Sequence, residues 1–277
     1  MSFVVSPATL AEAVAFLAEH PDARPMSGGA SLVAMKNARL IDASHFVSLA
    51  RIPNLRGISR SDGGWVRIGG MTRHRDLASS DLLNGSHAVL RQAAGQIANR
   101  VVRNMGTIGG AVGNADPAAD YLPALACLSA EVEITGTEGA RRVAMTDYVT
   151  GWYETVLAPG DIVTAVHLPP AGPGPAVWRK LARVPGDYAT VSVACMRSGD
   201  RVQVAVGACG PGPIRSPDDE AALAGRLGDA LAVAAFGEAL AALADPVDDV
   251  RGSAAYRLRL IPRMVAAAIR DVTKGAG

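Results

Sequence analysis

Four glycines fall within eight consecutive positions of the segment RNMGTIGGAVGNADPAAD, which covers residues 103–120. Glycine has no Cβ, so this segment can approach another group closely or make a tight turn. The spacing differs from G-x-G-x-x-G, and no G-K-[ST] follows, so neither common nucleotide-binding fingerprint is present. The role of these glycines, which precede the carboxylates of Asp116 and Asp120, must therefore be inferred from other parts of the sequence.

A second glycine segment, Ser27-Gly28-Gly29-Ala30-Ser31, shares two properties with Gly106-Thr107-Ile108-Gly109-Gly110. Each follows an apolar stretch, and each has hydroxyl residues beside its glycines. Backbone N–H groups can converge on an anion where Cβ atoms are absent, and hydroxyls add donors. A dinucleotide diphosphate suits such a pair of turns, because it needs many donors and close approach. The alternative is that both segments are only tight connections with positive φ, and the residues alone leave this open.

The first half of the chain alternates short helices and strands. Ser6 followed by Pro7 predicts a helix N-terminus, and Pro21 predicts the end of that helix. ARPM, HFVSLA, GWVRIGG and DIVTAVHLP predict strands, and Thr72 is expected to cap a helix. AVLRQAAGQIANRVV predicts one helix that ends near Val102, and AADYLPALACLSAEVEI predicts a helix followed by a strand.

A change in composition marks the second half. LPPAGPGPAV, residues 168–177, holds four prolines and two glycines, which predicts a domain boundary. Beyond it, DYATVSVACMRSGDRVQVAVGACG predicts two strands joined as a hairpin through Ser-Gly-Asp. The Ala-rich stretch 221–244 predicts a helix, and its charged residues exclude a membrane span. The second half is therefore predicted to be a small antiparallel sheet followed by helices.

Composition excludes several classes of protein. The 277 residues are 49% hydrophobic, and 27 basic residues against 26 acidic ones argue against nucleic-acid binding. No signal peptide or membrane span is expected, and the expected location is the cytoplasm. The three cysteines, Cys127, Cys195 and Cys209, are too few for a four-cysteine iron–sulfur site. The five histidines have no ligand spacing, so no metal site is expected.

Four blocks of the sequence resemble one protein family. The blocks are PMSGGASLVAMKNARL, IGGMTRHRDLASS, VRNMGTIGGAVGNADPAADYLPALACLSAEVEI and WRKLARVPGDYATVSVA. They resemble, in the family's order and over nearly the whole chain, the FAD-binding medium subunit of the molybdenum hydroxylases. That family includes carbon monoxide dehydrogenase and xanthine dehydrogenase. T-I-G-G with A-D-P-A-A-D is the specific part of the resemblance, whereas G-G-A-S alone is weak.

This resemblance implies an α+β fold with two domains. Residues 1–172 are expected to form a two-subdomain FAD-binding fold of the p-cresol methylhydroxylase type. Residues 173–277 are expected to form a small α+β C-terminal domain of the carbon monoxide dehydrogenase flavoprotein type, with an antiparallel sheet plus helices. The family's FAD lies extended across the two subdomains, and the C-terminal domain closes over the flavin.

The resemblance also implies which residues hold FAD. The first glycine block is expected to wrap the diphosphate, and the second to hold the rest of it and the ribityl chain. Asp120 would accept hydrogen bonds from hydroxyls, Lys180 would stabilise negative charge at the flavin N1–C2=O edge, and Tyr188 would cover a ring face. The implied set is Ser27, Gly28, Gly29, Ala30, Ser31, Leu32, Thr107, Gly109, Gly110, Asn114, Asp120, Ile162, Lys180 and Tyr188.

Ordinary structural roles remain as alternatives for several of these residues. The alternatives are a solvated strand-end lysine for Lys180, a core tyrosine for Tyr188 and a helix cap for Asp116. If Gly109 admits the ligand, Gly109→Val should release the cofactor and leave most of the fold intact. Position 30 is alanine, where many relatives have histidine, so one side-chain donor is absent from the phosphate region.

The function implied by the resemblance is that of an FAD-dependent oxidoreductase subunit. Electrons would come from a molybdopterin-containing large subunit and a [2Fe–2S] small subunit, and FAD would deliver them to NAD, a quinone or dioxygen. One alternative is a self-sufficient flavoenzyme that acts on a small metabolite, with His74, Asp187 and Tyr188 as acid–base candidates. Another is a scaffold that kept the fold and lost FAD, which only Ala30 supports.

Overall fold

A computed structural model describes residues 3–274, so the outer ends of the two predicted domains, residues 1–2 and 275–277, lie outside it. The strands are β1 (Phe3–Val5), β2 (Arg24–Met26), β3 (His45–Ser48), β4 (Ile58–Arg60), β5 (Val66–Gly69), β6 (Glu131–Gly136), β7 (Gly139–Ala144), β8 (Val149–Gly151), β9 (Glu154–Thr155), β10 (Ile162–Leu168), β11 (Ala176–Leu181), β12 (Val191–Ser198) and β13 (Arg201–Gly207). The helices are α1 (Leu10–Glu19), α2 (Ala30–Asn37), α3 (His74–Ala78), α4 (Ala88–Gln96), α5 (Arg100–Met105), α6 (Ile108–Asn114), α7 (Tyr121–Cys127), α8 (Met145–Tyr148), α9 (Pro217–Leu223), α10 (Ala230–Ala242) and α11 (Ala254–Lys274). Within residues 3–274, none of these helices has the length and apolar character needed to cross a membrane. The cytoplasmic location stays a prediction.

The first sheet is small and parallel. Strand β3 lies between β1 and β2, and it pairs in parallel with both. Helix α1 packs on this sheet, because Ala13, Val14 and Leu17 share one buried cluster with Val47 of β3. The expected strands at ARPM and HFVSLA are confirmed as β2 and β3. The first glycine block begins directly after the end of β2.

The second sheet has five antiparallel strands in the order β4-β5-β10-β6-β7. Its central strand β10 is buried along its whole length. Val132 and Ile134 of β6 and Val166 of β10 share one core with Val112 of α6 and Leu125 of α7. The second glycine block therefore lies on a helix that is fixed against the largest core of the chain.

The third sheet belongs to the C-terminal lobe, which comprises β11 to α11. Its order is β11-β12-β13, all antiparallel, and the predicted hairpin is confirmed with Gly199 at the turn (φ +62°). Val193 of β12 is buried with Phe236 of α10 and Ile269 of α11. This lobe is therefore a small antiparallel sheet covered by helices, as predicted.

Polar contacts join the C-terminal lobe to the first lobe, which comprises β1 to β10. The side-chain amide of Gln92 accepts the N–H of Trp178 at 2.8 Å and donates to the carbonyl of Ala176 at 3.2 Å. Gln92 thereby satisfies backbone groups on the outer edge of β11, which would otherwise be open. The predicted domain limit at 172/173 falls in the connection 169–175 and remains a proposal.

Two predicted helices are each divided in the structure. The helix expected over residues 88–102 separates into α4 and α5, because the side chain of Asn99 caps a new start by accepting the N–H of Val102 at 3.0 Å. The helix expected over 221–244 separates into α9 and α10, because Gly225 is left-handed (φ +73°). Asn99 and Gly225 therefore interrupt the predicted helices, although the residues on either side of them are mostly apolar.

Two predicted helix caps are wrong. Helix α1 is capped by Thr9, whose hydroxyl accepts the N–H of Glu12 at 3.2 Å, and not by Ser6. Glu12 lies three residues after Thr9, and its Oε2 accepts the N–H of Ala8 at 2.8 Å, whereas no acidic residue or glutamine lies three residues after Ser6. Thr72 does not cap α3, because its hydroxyl bonds to the N–H and carbonyl of Gly57.

The predicted glycine turn at residues 106–110 is mostly the start of a helix. Thr107 caps α6, and its hydroxyl accepts the N–H of Gly110 at 3.2 Å. Gly109 lies against Gly70, just after β5. A Cβ at position 109 would lie 2.7 Å from the oxygen and 2.8 Å from the Cα of Gly70. Gly109 is therefore needed for packing between two backbone segments, so Gly109→Val would displace main chain as well as obstruct a ligand. The expectation that this variant leaves most of the fold intact did not include this displacement.

We expect Gly109→Ala to lower the free energy of unfolding by about 1–3 kcal/mol, because the new methyl group overlaps backbone that has no rotamer to change. Urea unfolding of the ligand-free protein measures this. Gly95→Ala in α4 is the matched control, since a Cβ there meets no atom within 4 Å. The control should gain about 0.5–1 kcal/mol from the better helix propensity of alanine. Equal stability of Gly109→Ala and wild type would contradict the packing role.

Candidate functional site

A cavity of about 920 Å³ opens between the two lobes. This volume lies at the upper end of the range of about 300–1,000 Å³ for small-molecule and cofactor sites. Its lining includes all fourteen residues that the sequence predicted for FAD: Ser27, Gly28, Gly29, Ala30, Ser31, Leu32, Thr107, Gly109, Gly110, Asn114, Asp120, Ile162, Lys180 and Tyr188. The structure therefore brings together residues that are up to about 160 positions apart in sequence.

The first glycine block presents the N-terminus of α2 to the cavity. Gly29 is left-handed (φ +73°), which lets the chain turn from β2 into the helix. The N–H groups of Ala30, Ser31 and Leu32 donate to no acceptor within residues 3–274. First-turn amides carry the positive end of the helix dipole, so they suit an anion. This block therefore provides the arrangement that a phosphate group requires.

The second glycine block has a different role. The N–H groups of residues 108–110 donate in turn to the carbonyls of Thr72 (3.0 Å) and Gly70 (2.8 Å) and to the hydroxyl of Thr107 (3.2 Å). These amides are already satisfied by the protein. The block instead packs closely on the first one, because a Cβ on Gly28 would lie 3.0 Å from Gly106 Cα, and a Cβ on Gly110 would meet the side chain of Ser27 at 3.5 Å. Its glycines hold the two blocks together at the wall of the cavity.

A buried ion pair crosses the cavity from one lobe to the other. Asp120 Oδ2, at the start of α7, lies 2.8 Å from Lys180 Nζ on β11, and both side chains are 5% exposed. Burial raises the pKa of Asp120 to about 6, although Lys180 acts in the opposite direction. Asp120 Oδ1 is buried and accepts no hydrogen bond within the described part of the chain. A hydroxyl donor from a ligand would satisfy this oxygen.

Tyr188 lies at the rim of the cavity and is 40% exposed. The guanidinium of Arg251 lies 5.1 Å from its ring centroid, and the neighbouring Asp187 accepts from Arg183 at 3.0 Å. Burial raises the pKa of Tyr188 to about 12, so its hydroxyl keeps its proton at neutral pH. The structure thus supports a rim tyrosine held by charged neighbours and excludes the fully buried core tyrosine that was the alternative.

The three acid–base candidates are poorly suited to proton transfer at neutral pH. His74 lines the cavity, but burial, with a contribution from Arg103, lowers its pKa to about 4. Hydrogen bonding from Arg183 lowers the pKa of Asp187, which keeps that carboxylate ionised. Tyr188 stays protonated, as described above. General acid–base catalysis is most effective when the pKa lies near the working pH, and none of these groups meets that condition.

Asp116 makes one local contact and one contact that is distant in sequence. Its Oδ1 accepts the N–H of Ala118 at 2.9 Å within a turn, so Asp116 closes that turn and does not cap α7, which begins at Tyr121. Its Oδ2 accepts the hydroxyl of Tyr153 at 3.4 Å, across 37 positions of sequence. Tyr153 also lines the cavity, as do Ile97 and Ala98 between α4 and α5. Sequence reasoning missed these residues, because no motif accompanies them.

The residues present fit FAD. Free first-turn amides suit a diphosphate, an unpaired carboxylate oxygen at Asp120 suits a hydroxylated chain, and the Lys180 ammonium suits a ring that gains negative charge on reduction. Three or more His, Cys, Asp or Glu side chains do not come together as a metal site anywhere in residues 3–274. The free amides, the unpaired carboxylate oxygen and the ammonium together suit a phosphate-containing organic cofactor.

Comparisons with known proteins agree with this arrangement. Residues 1–171 match the family model described as the FAD binding domain in molybdopterin dehydrogenase, and residues 176–272 match the CO dehydrogenase flavoprotein C-terminal domain. The carbon monoxide dehydrogenase medium chain of Afipia carboxidovorans is 38% identical over 271 residues, which cover 95% of this chain and 93% of that protein. The glyceraldehyde dehydrogenase medium chain of Sulfolobus acidocaldarius is 32% identical over 270 residues, 95% of each protein. A crystal structure of the Cu,Mo-CO dehydrogenase in its cyanide-inactivated form matches with a TM-score of 0.92 at 35% identity, over 99% of this chain and 98% of that one.

The raised pKa of Asp120 predicts a pH-dependent stability. Its pKa rises from 3.8 to about 6 on folding, so between these values the folded state binds more protons than the unfolded state. The stability of the wild type relative to Asp120→Asn should therefore fall by about 1–3 kcal/mol as pH rises from about 4 to about 6.5, and then level off. Urea unfolding of both ligand-free proteins across this range measures the difference. A difference that does not change with pH would contradict the burial of Asp120.

Proposed function

The chain belongs to the FAD-binding medium subunits of the molybdenum hydroxylases, and we propose that it receives electrons from iron–sulfur clusters on a partner subunit and delivers them to NAD, a quinone or dioxygen. One observation carries this proposal. A single cavity combines the free first-turn amides of α2 with the buried Asp120–Lys180 pair contributed by both lobes. This combination fits a dinucleotide whose charge changes with its redox state.

We assign the diphosphate of FAD to the N-terminus of α2. Ala30, Ser31 and Leu32 supply amides there, and an alanine side chain at position 30 leaves their backbone uncovered. Asp120 Oδ1 would accept from a ribityl or ribose hydroxyl, since it has no other partner in the described residues. The second block, which includes Thr107, would contact the same ligand through its van der Waals surface. Its amides would not bind the ligand, because the protein already satisfies them.

Lys180 is assigned to the flavin ring. Bound FAD supplies the exchange between one-electron and two-electron transfer, and its reduction adds negative charge to the ring. Lys180 Nζ is held by Asp120 Oδ2, and its side chain is almost fully shielded from water. A charge in such an environment acts more strongly on a neighbouring charge than it would in water. Lys180 would therefore stabilise the reduced form of the cofactor.

The iron–sulfur clusters must belong to another subunit. A [2Fe–2S] cluster is usually held by four cysteine thiolates, and this chain has three cysteines. All three are buried and free, and burial raises the pKa of Cys127 and Cys209 to about 12, which keeps them as thiols. We therefore assign the clusters to a small subunit and molybdopterin to a large subunit. Two relatives are medium chains of dehydrogenases, which supports such an assembly.

The first test uses the full-length chain purified alone. Flavin absorption bands, with FAD identified by chromatography after denaturation, are the expected result. Anaerobic NADH is then added, and bleaching of these bands would identify NAD as a partner in electron exchange. Bound FAD that NADH does not reduce would indicate a quinone or dioxygen as the electron acceptor. A protein that stays colourless with added FAD would overturn the proposal, and turnover of a small metabolite without any partner subunit would favour the self-sufficient oxidoreductase.

The assignment of Lys180 predicts a change in the midpoint potential of the bound flavin. Lys180→Met should lower the potential by about 30–60 mV, because the reduced form loses about 1.4–2.8 kcal/mol of charge stabilisation in a two-electron couple. Arg179→Met is the matched control, since Arg179 alternates with Lys180 on β11 and pairs with Asp271 instead. Spectroelectrochemical titration measures both variants. Equal shifts in the two would show that the effect is not local to the cavity.

A further inference from the structure

We propose that His74 is a cofactor-binding residue, whose Nε2–H donates a hydrogen bond to the diphosphate of FAD. His74 belongs to neither glycine block, and the sequence suggested it only as an acid or base. The inference rests on the proposed FAD site, and it adds a donor that no motif shows. Three features of the structure support it: the position of the ring, its tautomer and its neighbours.

The imidazole of His74 is fixed in the wall of the cavity. His74 begins α3 and is 5% exposed, and its backbone N–H donates to the carbonyl of Gly106 at 3.1 Å. Its ring packs on Gly106, where a Cβ would overlap Nε2, so glycine is required to leave room for the imidazole. Nδ1 lies 2.9 Å from the hydroxyl of Tyr121. Nε2 has no hydrogen-bond partner within residues 3–274, and His74 lines the cavity, so this nitrogen is available to a ligand.

The contact with Tyr121 determines the tautomer. Tyr121 is fully buried, and in the described part of the chain its hydroxyl forms a hydrogen bond only with Nδ1 of His74. If Nδ1–H donated to this hydroxyl, the phenolic hydrogen would be buried without an acceptor, which is costly. Tyr121 therefore donates to Nδ1, and the neutral ring carries its proton on Nε2. Burial keeps both groups in these forms, because it lowers the pKa of His74 to about 4 and raises that of Tyr121 well above its usual value.

The position of Nε2 points to phosphate rather than to another part of the cofactor. Gly106, on which the ring packs, also contacts the first glycine block, since a Cβ on Gly28 would lie 3.0 Å from Gly106 Cα. The donor of His74 therefore lies beside the block that holds the free amides of α2. A neutral Nε2–H only donates, so its partner must be an acceptor, and phosphate oxygens are the strongest acceptors of FAD. Ala30 offers no competing side-chain donor in this region.

The test compares FAD dissociation constants for full-length apoproteins by fluorescence titration. His74→Met should weaken FAD binding about 10- to 100-fold, as expected for loss of a hydrogen bond to a charged acceptor. His74→Gln, which keeps an N–H donor at a similar reach, should recover most of that loss. The thermal midpoint of each apoprotein reports structural damage separately. In ³¹P spectra of the bound cofactor, a diphosphate resonance should differ between wild type and His74→Gln.

The outcomes separate this inference from the proposed function. If wild-type protein does not bind FAD, the proposed function fails and the inference fails with it. If wild type binds FAD and His74→Met binds it equally well, only the inference is overturned. Equal losses in His74→Met and His74→Gln, in proportion to their lowered thermal midpoints, would assign His74 a purely structural role. In wild-type apoprotein labelled with ¹⁵N-histidine, a proton on Nδ1 of His74 instead of Nε2 would also overturn the inference, without any variant that must fold.

Discussion

Close contacts at three glycines, where a Cβ would not fit, determine the shape of the cavity. Gly28 packs on the end of α5, Gly106 packs on the imidazole of His74, and Gly109 packs on the backbone that follows β5. Each contact joins elements that are distant in sequence, so together they fix α2, α3 and α6 relative to the five-stranded sheet. A methyl group at any of these positions would force movement of main chain or of a buried ring. The free amides of α2 face the cavity because this junction holds the helix in place.

The C-terminal lobe completes the site by adding the positive charge of Lys180. Lys180 enters from β11, and Asp120 meets it from α7, so the pair forms only when the lobes are packed together. Buried ion pairs add little net stability, since desolvation offsets much of the attraction between the charges. The lobes are held together without this pair, by the neutral hydrogen bonds of Gln92 to β11 and by Trp178, Ala194 and Ala205, which pack in the core of the first lobe. The ion pair is therefore better explained by the electrostatic requirements of a ligand than by those of the fold.

Much of the fold and the outline of the site could be predicted from the sequence. Two apolar stretches joined by Ser-Gly-Asp identified the hairpin of β12 and β13, and the resemblance identified fourteen of the residues that line the cavity. The limits of the helices could not be predicted as well, because Asn99 and Thr9 act through side-chain hydrogen bonds that compete with similar residues nearby. Tyr153 and Ala98 reach the cavity through tertiary packing alone, and no local pattern marks such residues. The packing of Gly109 on Gly70 was not predicted, since sequence does not distinguish a glycine that faces a ligand from one that faces another backbone.

Polar groups left without partners indicate the ligand more directly than the glycines do. The glycines of the second block and the amides of residues 108–110 are used by the protein itself. By contrast, Asp120 Oδ1 and the first-turn amides of α2 have no partner in the described residues, and an unpaired buried acceptor costs about 1–3 kcal/mol. A ligand that binds only the folded state and satisfies these groups stabilises that state in proportion to its affinity. The arrangement therefore couples folding to cofactor binding, because the same backbone junction that packs the core leaves these groups open to the cavity.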